Sequence, residues 1–214
     1  MGQRMIRSEE LPPSLAALLK GRMNDADLWR VLRTSLLSVG RLKGLIAAVG
    51  MAPVTGDTAE IGTAHGGTSY LMAKLNGGRT HWACDTFTGL VDVCEHDTLS
   101  NGQFHNTAEK VKDVIGALPN VRMVKGYFPK SASVAMKRAK FSVVHIDVDT
   151  YTSIKACFEF FVQRMTPGGI IVLDDVLERG CAGAIKAFEE LKQQGGDWSV
   201  IRTDAPPQAV VRVN

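Results

Sequence analysis

Four aspartates dominate the chemistry open to this sequence. Asp147 and Asp149 lie in "HIDVDTY" (145–151), and Asp174 and Asp175 lie in "LDDV" (173–176). Each pair follows a short apolar run of the kind that forms a buried strand. Placed at the ends of neighbouring strands, the four carboxylates gather at one sheet edge and repel unless a cation neutralises them. Hard oxygen ligands with positions left for water or substrate suit Mg²⁺ or Mn²⁺. Taken singly, Asp149 ahead of Tyr151 or Asp175 ahead of the next helix would be an ordinary N-cap. Two such pairs together favour the ion. His145 precedes Asp147 by two residues, so on a strand both side chains point to one face. It either orients substrate or metal ligands, or is a buried hydrogen-bonded histidine.

A second constellation lies upstream. "AEIGTAHGGTS" (59–69) sets Gly62, Gly66 and Gly67 in a strand-to-helix turn, where the backbone can approach a ligand closely. The next apolar run, "THWACDT" (80–86), ends near Asp85. An acid there, roughly 20 residues after the glycines, is placed to accept hydrogen bonds from ribose hydroxyls. Turn and acid together indicate a nucleoside cofactor. The dinucleotide spacing G-x-G-x-x-G is absent, because Thr63 and Ala64 follow Gly62. Glu60 also fits a pyrophosphate poorly, since an anion favours bare backbone N–H groups. It fits a cationic ligand end, such as the ammonium and sulfonium of S-adenosylmethionine.

The elements that must position these groups follow from periodicity. Apolar runs at 58–62, 80–86, 120–126, 141–149 and 168–175 alternate with helical segments beginning near Gly67, Thr107, Tyr151 and Ala182. That alternation predicts a parallel sheet covered on both faces. "WSVIR" (198–202) and "QAVVRV" (208–213) are separated by no helix, so they should form an antiparallel hairpin. The expected fold is α/β, a seven-stranded, mostly parallel sheet with an antiparallel edge strand. In such sheets ligands bind at the carboxyl ends of the strands.

The first fifty residues read as helical. Pro12 and Pro13 open a short helix, and Asn24 or Asp25 caps a longer one whose apolar stripe runs from Leu28 to Ile46. Residues 1–50 are therefore read as a helical extension, either a cap on the site or an oligomer interface, and 51–214 as the main domain. The polar stretch 91–106 is too long for a simple connection and reads as an active-site lid.

Composition narrows the class. The chain has 214 residues, 45% hydrophobic and 22% charged, with a net charge of +3. That is ordinary globular composition, and the charge is too mild for nucleic-acid binding; the one basic run, "MKRAK" (136–140), reads as a solvated helix end. The four cysteines form no CxxC pair, which argues against a zinc site or disulfide framework. With no long apolar run and no signal peptide, no membrane span is expected and the location is expected to be cytoplasmic.

"EIGTAHGGTS", "CDTFTGL" (84–90), "GYFP" (126–129), "HIDVDTYTS" (145–153), "RMTPGGIIVLDDV" (164–176) and "CAGAIKAF" (181–188) resemble the macrocin O-methyltransferase family. These are Mg²⁺-dependent, S-adenosylmethionine-using methyltransferases of sugar hydroxyls in natural-product pathways. The resemblance spans about residues 57–190 and implies the Rossmann-like fold of class I methyltransferases, a hydroxylated acceptor such as a glycosylated natural product, and a homo-oligomer. By position, Asp147, Asp174 and Asp175 match the family's metal ligands, Asp149 its general base, and Glu60, Gly62, Ser69 and Asp85 its cofactor motifs. The expected cofactor set is thus Glu60, Gly62, Thr63, Gly66, Ser69, Asp85 and Asp147, and the expected catalytic pair Asp149 and His145. Val91 stands where the family has proline. The alternatives are a catechol-type O-methyltransferase, a nicotinamide-dependent oxidoreductase, and a non-catalytic binding protein on the same fold.

Overall fold

A computed structural model describes residues 11–178, 180–202 and 208–214. Residues 1–10, 179 and 203–207 lie outside the described residues. Three helices open the chain: α1 (Pro13–Leu19), α2 (Asp25–Thr34) and α3 (Val39–Met51). The sheet then alternates with helices: β1 (Asp57–Ile61), α4 (Gly67–Leu75), β2 (His81–Asp85), α5 (Ala108–Ile115), β3 (Val121–Lys125), α6 (Val134–Arg138), β4 (Phe141–Ile146), α7 (Tyr151–Val162), β5 (Met165–Leu173) and α8 (Ala182–Gln194). Strands β6 (Trp198–Arg202) and β7 (Ala209–Val213) end it.

The seven strands lie in the order β3-β2-β1-β4-β5-β7-β6. Strands β1 to β5 pair in parallel, while β7 pairs antiparallel with both β5 and β6. The antiparallel strand is therefore one place in from the edge, not at the edge as the sequence suggested. Burial explains the order. β7 is a nearly continuous apolar run with Ala209, Val210 and Val211 buried, whereas Ser199 and Ile201 of β6 are exposed. A two-sided strand belongs inside the sheet and a half-polar one at its rim. Strand order reverses between β1 and β4, so the ligand crevice is expected there.

Side-chain alternation divides the core in two. Ile171 and Leu173 of β5 join Phe158, Phe161 and Phe188 from α7 and α8 on one face. Ile170 and Val172 join Leu28, Leu32, Leu42 and Leu45 from α2 and α3 on the other. From Leu11 onward, the N-terminal segment is thus part of the layer covering the sheet.

The stripe from Leu28 to Ile46 is not one helix. It breaks at Ser35–Ser38, and α2 and α3 meet at a bend of 120°. Two serine hydroxyls make the break. Ser35 Oγ accepts from Leu37 N at 3.1 Å and pairs with Thr68 Oγ1 at 2.8 Å, and Ser38 Oγ accepts from Arg41 N at 3.3 Å to cap α3. Such local bonds compete with helix continuation. Gly40 and Gly44 lie within α3. Lys137 and Arg138 form the last turn of α6, as read for the basic run. Cys84 and Cys157 are buried free thiols. Among the described residues no single helix is long and apolar enough to cross a membrane.

Candidate active site

The carboxyl ends of β1, β2, β3 and β4 surround an open cleft. At one end Gly62–Ala64, Asp85 and Gly126–Phe128 form its wall, and Leu90, Val91 and Phe104 also line the cleft. At the other end stand Asp147, Asp149, Asp175 and Arg41, and the α2–α3 break supplies Ser35 to Leu37.

The first end is built from backbone turns. Gly62 has φ +93°, and a Cβ there would lie 1.8 Å from the Asp147 carbonyl oxygen. Only glycine lets β1 leave the sheet that close to the chain after β4. Asp85 accepts from Ala64 N at 2.9 Å through one carboxylate oxygen and from Phe87 N at 2.7 Å through the other. Each oxygen keeps a further lone pair for a ligand hydroxyl. Thr63 is buried and donates to the Cys84 carbonyl, so its backbone, not its hydroxyl, lies in the wall.

Three expected cofactor residues do not line the cleft. Gly66 is the left-handed N-cap of α4. Ser69 is fully buried and donates to Glu60. Glu60 is 1% exposed and turned toward β4, where its other oxygen lies 3.0 Å from His145 Nδ1. The reason is strand parity. Ile61 faces the α7–α8 core, so Glu60 faces the α4 layer, behind the wall rather than on it.

His145 joins the two ends. Fully buried, it sits between Glu60 and Asp174, with Nε2 3.3 Å from the latter. Burial opposes its charge, but hydrogen bonds to Asp174 and Glu60 outweigh it and raise its pKa to about 10. His145 is thus a charged brace, the buried hydrogen-bonded histidine that the sequence left as one of two readings.

The strands end earlier than their apolar runs. β4 stops at Ile146 and β5 at Leu173, so the four aspartates lie in the connections. Asp149 and Asp175 both adopt left-handed backbone, with φ of +59° and +56°, a conformation aspartate tolerates better than most residues. Neither caps a helix. Thr150 is the N-cap of α7 without a side-chain bond. The capping carboxylate is Asp97, from loop 91–106, which accepts from Tyr151 N at 2.8 Å. Asp97 fits because Gly183 of α8 has no side chain; a Cβ there would lie 1.8 Å from the Asp97 oxygen. Helix α8 begins beyond Cys181, leaving Asp175 free of capping as well.

The acidic end gathers more carboxyl groups than it has cations to pair them. Burial, then the neighbouring Asp174 and Asp175, pushes Asp147 well above the carboxylate range. Burial and Asp175 do the same to Asp149. Asp174 goes the other way: burial pushes it up, but His145, Arg41 and Gln208 hold it below the usual value. Ligand atoms of His145, Asp147 and Asp174 lie within 4.8 Å of one another, as do those of Asp149, Asp175 and Cys181. The expected metal trio therefore divides between these two adjoining groups. A hard oxygen donor set whose members raise one another's pKa fits a divalent cation.

Arg41 escaped the sequence reading. Its guanidinium lies 3.3 Å from Asp174, 3.0 Å from Asp175 and 3.5 Å from Glu178. The available signal was a buried-face position in an apolar helix occupied by an arginine. Gln208, which donates to Asp174 at 3.1 Å, gave no signal at all. Loop 91–106 is tied down by backbone bonds between Leu90 and Gln103 and between Gly102 and Leu90. A bond from Tyr127 to Asp92 adds to these.

The family model described as Macrocin-O-methyltransferase (TylF) matches residues 20–205. A tetracenomycin rhamnosyl 4'-O-methyltransferase of Streptomyces olivaceus is 26% identical over 181 residues, 75% of this chain and 69% of that protein. Mycinamicin III 3''-O-methyltransferase of Micromonospora griseorubida is 22% identical, over 86% of this chain and 85% of that protein. The solved structure of the O-methyltransferase NovP shares the fold, with a TM-score of 0.69 and 22% identity, covering 85% of this chain and 82% of its own. With the family model matched across most of its length, the chain belongs to the macrocin-O-methyltransferase family and is an S-adenosylmethionine-dependent O-methyltransferase.

Proposed function

We propose that the chain methylates a hydroxyl of a sugar carried on a natural product, with Asp149 as general base and Mg²⁺ or Mn²⁺ held by Asp147, Asp174 and Asp175. The named relatives act on a rhamnosyl tetracenomycin and on mycinamicin III, which supports a glycosylated acceptor. The observation that carries the reading is Asp149 itself. It lines the cleft, is relieved of capping by Asp97, and is held as a proton acceptor above the usual carboxylate range by burial and Asp175. A carboxylate whose proton affinity is raised is a stronger base toward a hydroxyl proton. A bound divalent ion would gather two neighbouring acceptor oxygens and lower a hydroxyl pKa.

The chain's own residues do the rest. Asp85 receives the ribose hydroxyls, and Gly62 lets the backbone approach the cofactor. His145 braces Glu60 and Asp174 from behind. Loop 91–106, with Val91 and Phe104 on the cleft, forms the acceptor side, and helices α2 and α3 close the opposite side. The proposal extends to a homo-oligomer in the cytoplasm, as the sequence reading expects.

Calorimetric titration with S-adenosylhomocysteine, followed by a methylation screen with and without chelator, tests this. Turnover of glycosides with vicinal hydroxyls that stops on chelation is the expected result. Chelator-resistant turnover overturns the metal role, and turnover of catechols but not glycosides overturns the sugar.

A further inference from the structure

Asp174 has no vacant position. One of its oxygens faces Arg41 and accepts from the Asp175 backbone N–H at 2.9 Å. The other faces His145 and Gln208. A carboxylate offers about four lone-pair sites, so an incoming ion must displace a donor. Three of the four are fixed: a backbone N–H, a fully buried strand histidine, and Gln208 at 1% exposure. The fourth, Arg41, rides on a long flexible stem from α3. Its second nitrogen already lies 3.5 Å from Glu178, whose side chain is 47% exposed. Glu178 offers a partner on the solvent side once the two aspartates are taken.

We propose that Arg41 is a displaceable internal cation, which holds Asp174 and Asp175 in the metal-free enzyme and moves toward Glu178 when a divalent ion enters. This rests on the metal reading above. A guanidinium and a divalent ion beside the same two carboxylates repel, so Arg41 sets the metal affinity by competition.

The test is Mn²⁺ binding, followed by the electron paramagnetic resonance of the free ion, with no turnover required. Arg41→Met keeps the apolar stem and removes the charge, and should bind Mn²⁺ about tenfold tighter or more than wild type. Its Tm should be lower without metal but gain more on Mn²⁺ addition. Arg41→Lys, a point charge that cannot bridge both carboxylates, should fall between and covers the case in which the methionine variant folds poorly. Glu178→Gln should weaken Mn²⁺ binding in the wild-type background and have no effect beside Arg41→Met. Unchanged or weaker Mn²⁺ binding by both arginine variants overturns the proposal. Mn²⁺ binding by wild type that survives Asp174→Asn with Asp175→Asn overturns the metal reading itself.

Discussion

The two ends of the sheet treat buried polar groups in opposite ways. At the amino ends of the strands the groups close among themselves. Asn76 donates to Thr58 at 3.0 Å and to the Arg79 carbonyl at 2.7 Å, and Asn120 donates to the Ala73 carbonyl and to Asn76. Arg79 spends its guanidinium on the Gly56 carbonyl and Ser142. One buried atom there, His81 Nε2, is left without a hydrogen-bond partner. At the carboxyl ends, Glu60 and four aspartates share Arg41 and His145. A sheet end with more buried acids than cations to pair them marks a ligand site, and one whose polar groups mostly bond one another is scaffold.

The two buried histidines express the same contrast. His81, at the start of β2, meets Thr58 at 2.9 Å. Burial, then the charge on His145, drives its pKa down to about 3. His145 is equally buried, yet two carboxylates raise it to about 10. Residue type and exposure are the same; only the end of the strand differs.

Three measurements would break or sharpen this comparison. The largest effect belongs to Asp149→Asn, which should reduce turnover by roughly 10²–10⁴-fold while calorimetry finds S-adenosylhomocysteine affinity little changed. Near-normal turnover would remove the base from the charged end.

Next come the histidines, whose pH signs oppose. Below its ordinary value of 6.5, the unfolded chain protonates His81 while the folded chain does not, so stability falls with pH until about 3. For His145 the stabilisation is complete below 6.5 and drains away as pH rises toward about 10. Each limb is on the order of a few kcal/mol. In urea unfolding across pH, His81→Leu should flatten the acid limb and His145→Gln the alkaline one. The same limb flattening in both would erase the distinction.

The smallest effect is Asn120→Ala. It should cost about 1–2 kcal/mol of stability, since partners at the scaffold end lose their donor, and leave kcat unchanged. A large kcat loss would mean that this end serves more than support.

The sequence made one end far more legible than the other. The five parallel strands were readable because their apolar runs stop at or beside glycine or aspartate, and the acidic cluster because two such stops fall on neighbouring strands. What escaped depends on contacts distant along the chain. Arg41 meets Asp174 only because α3 packs over β5. The turn of Glu60 away from the cleft is a matter of strand parity, which the motif alone does not reveal. The break between α2 and α3 is made by Ser35, which reads as an ordinary stripe position, and by Ser38. The place of β7 was in principle readable: "AVVRV" is apolar nearly throughout, as an inner strand must be, and "WSVIR" is not.

The cap that Asp97 places on α7 bears on how acceptor preference can be re-engineered. Loop 91–106 is the obvious segment to exchange between relatives. It also supplies the carboxylate at the head of the helix that follows Asp149, seated in the notch left by Gly183. A graft of this loop must therefore carry an acid at the Asp97 position and leave residue 183 as glycine. Otherwise it disturbs Asp149, the proposed base, along with the loop.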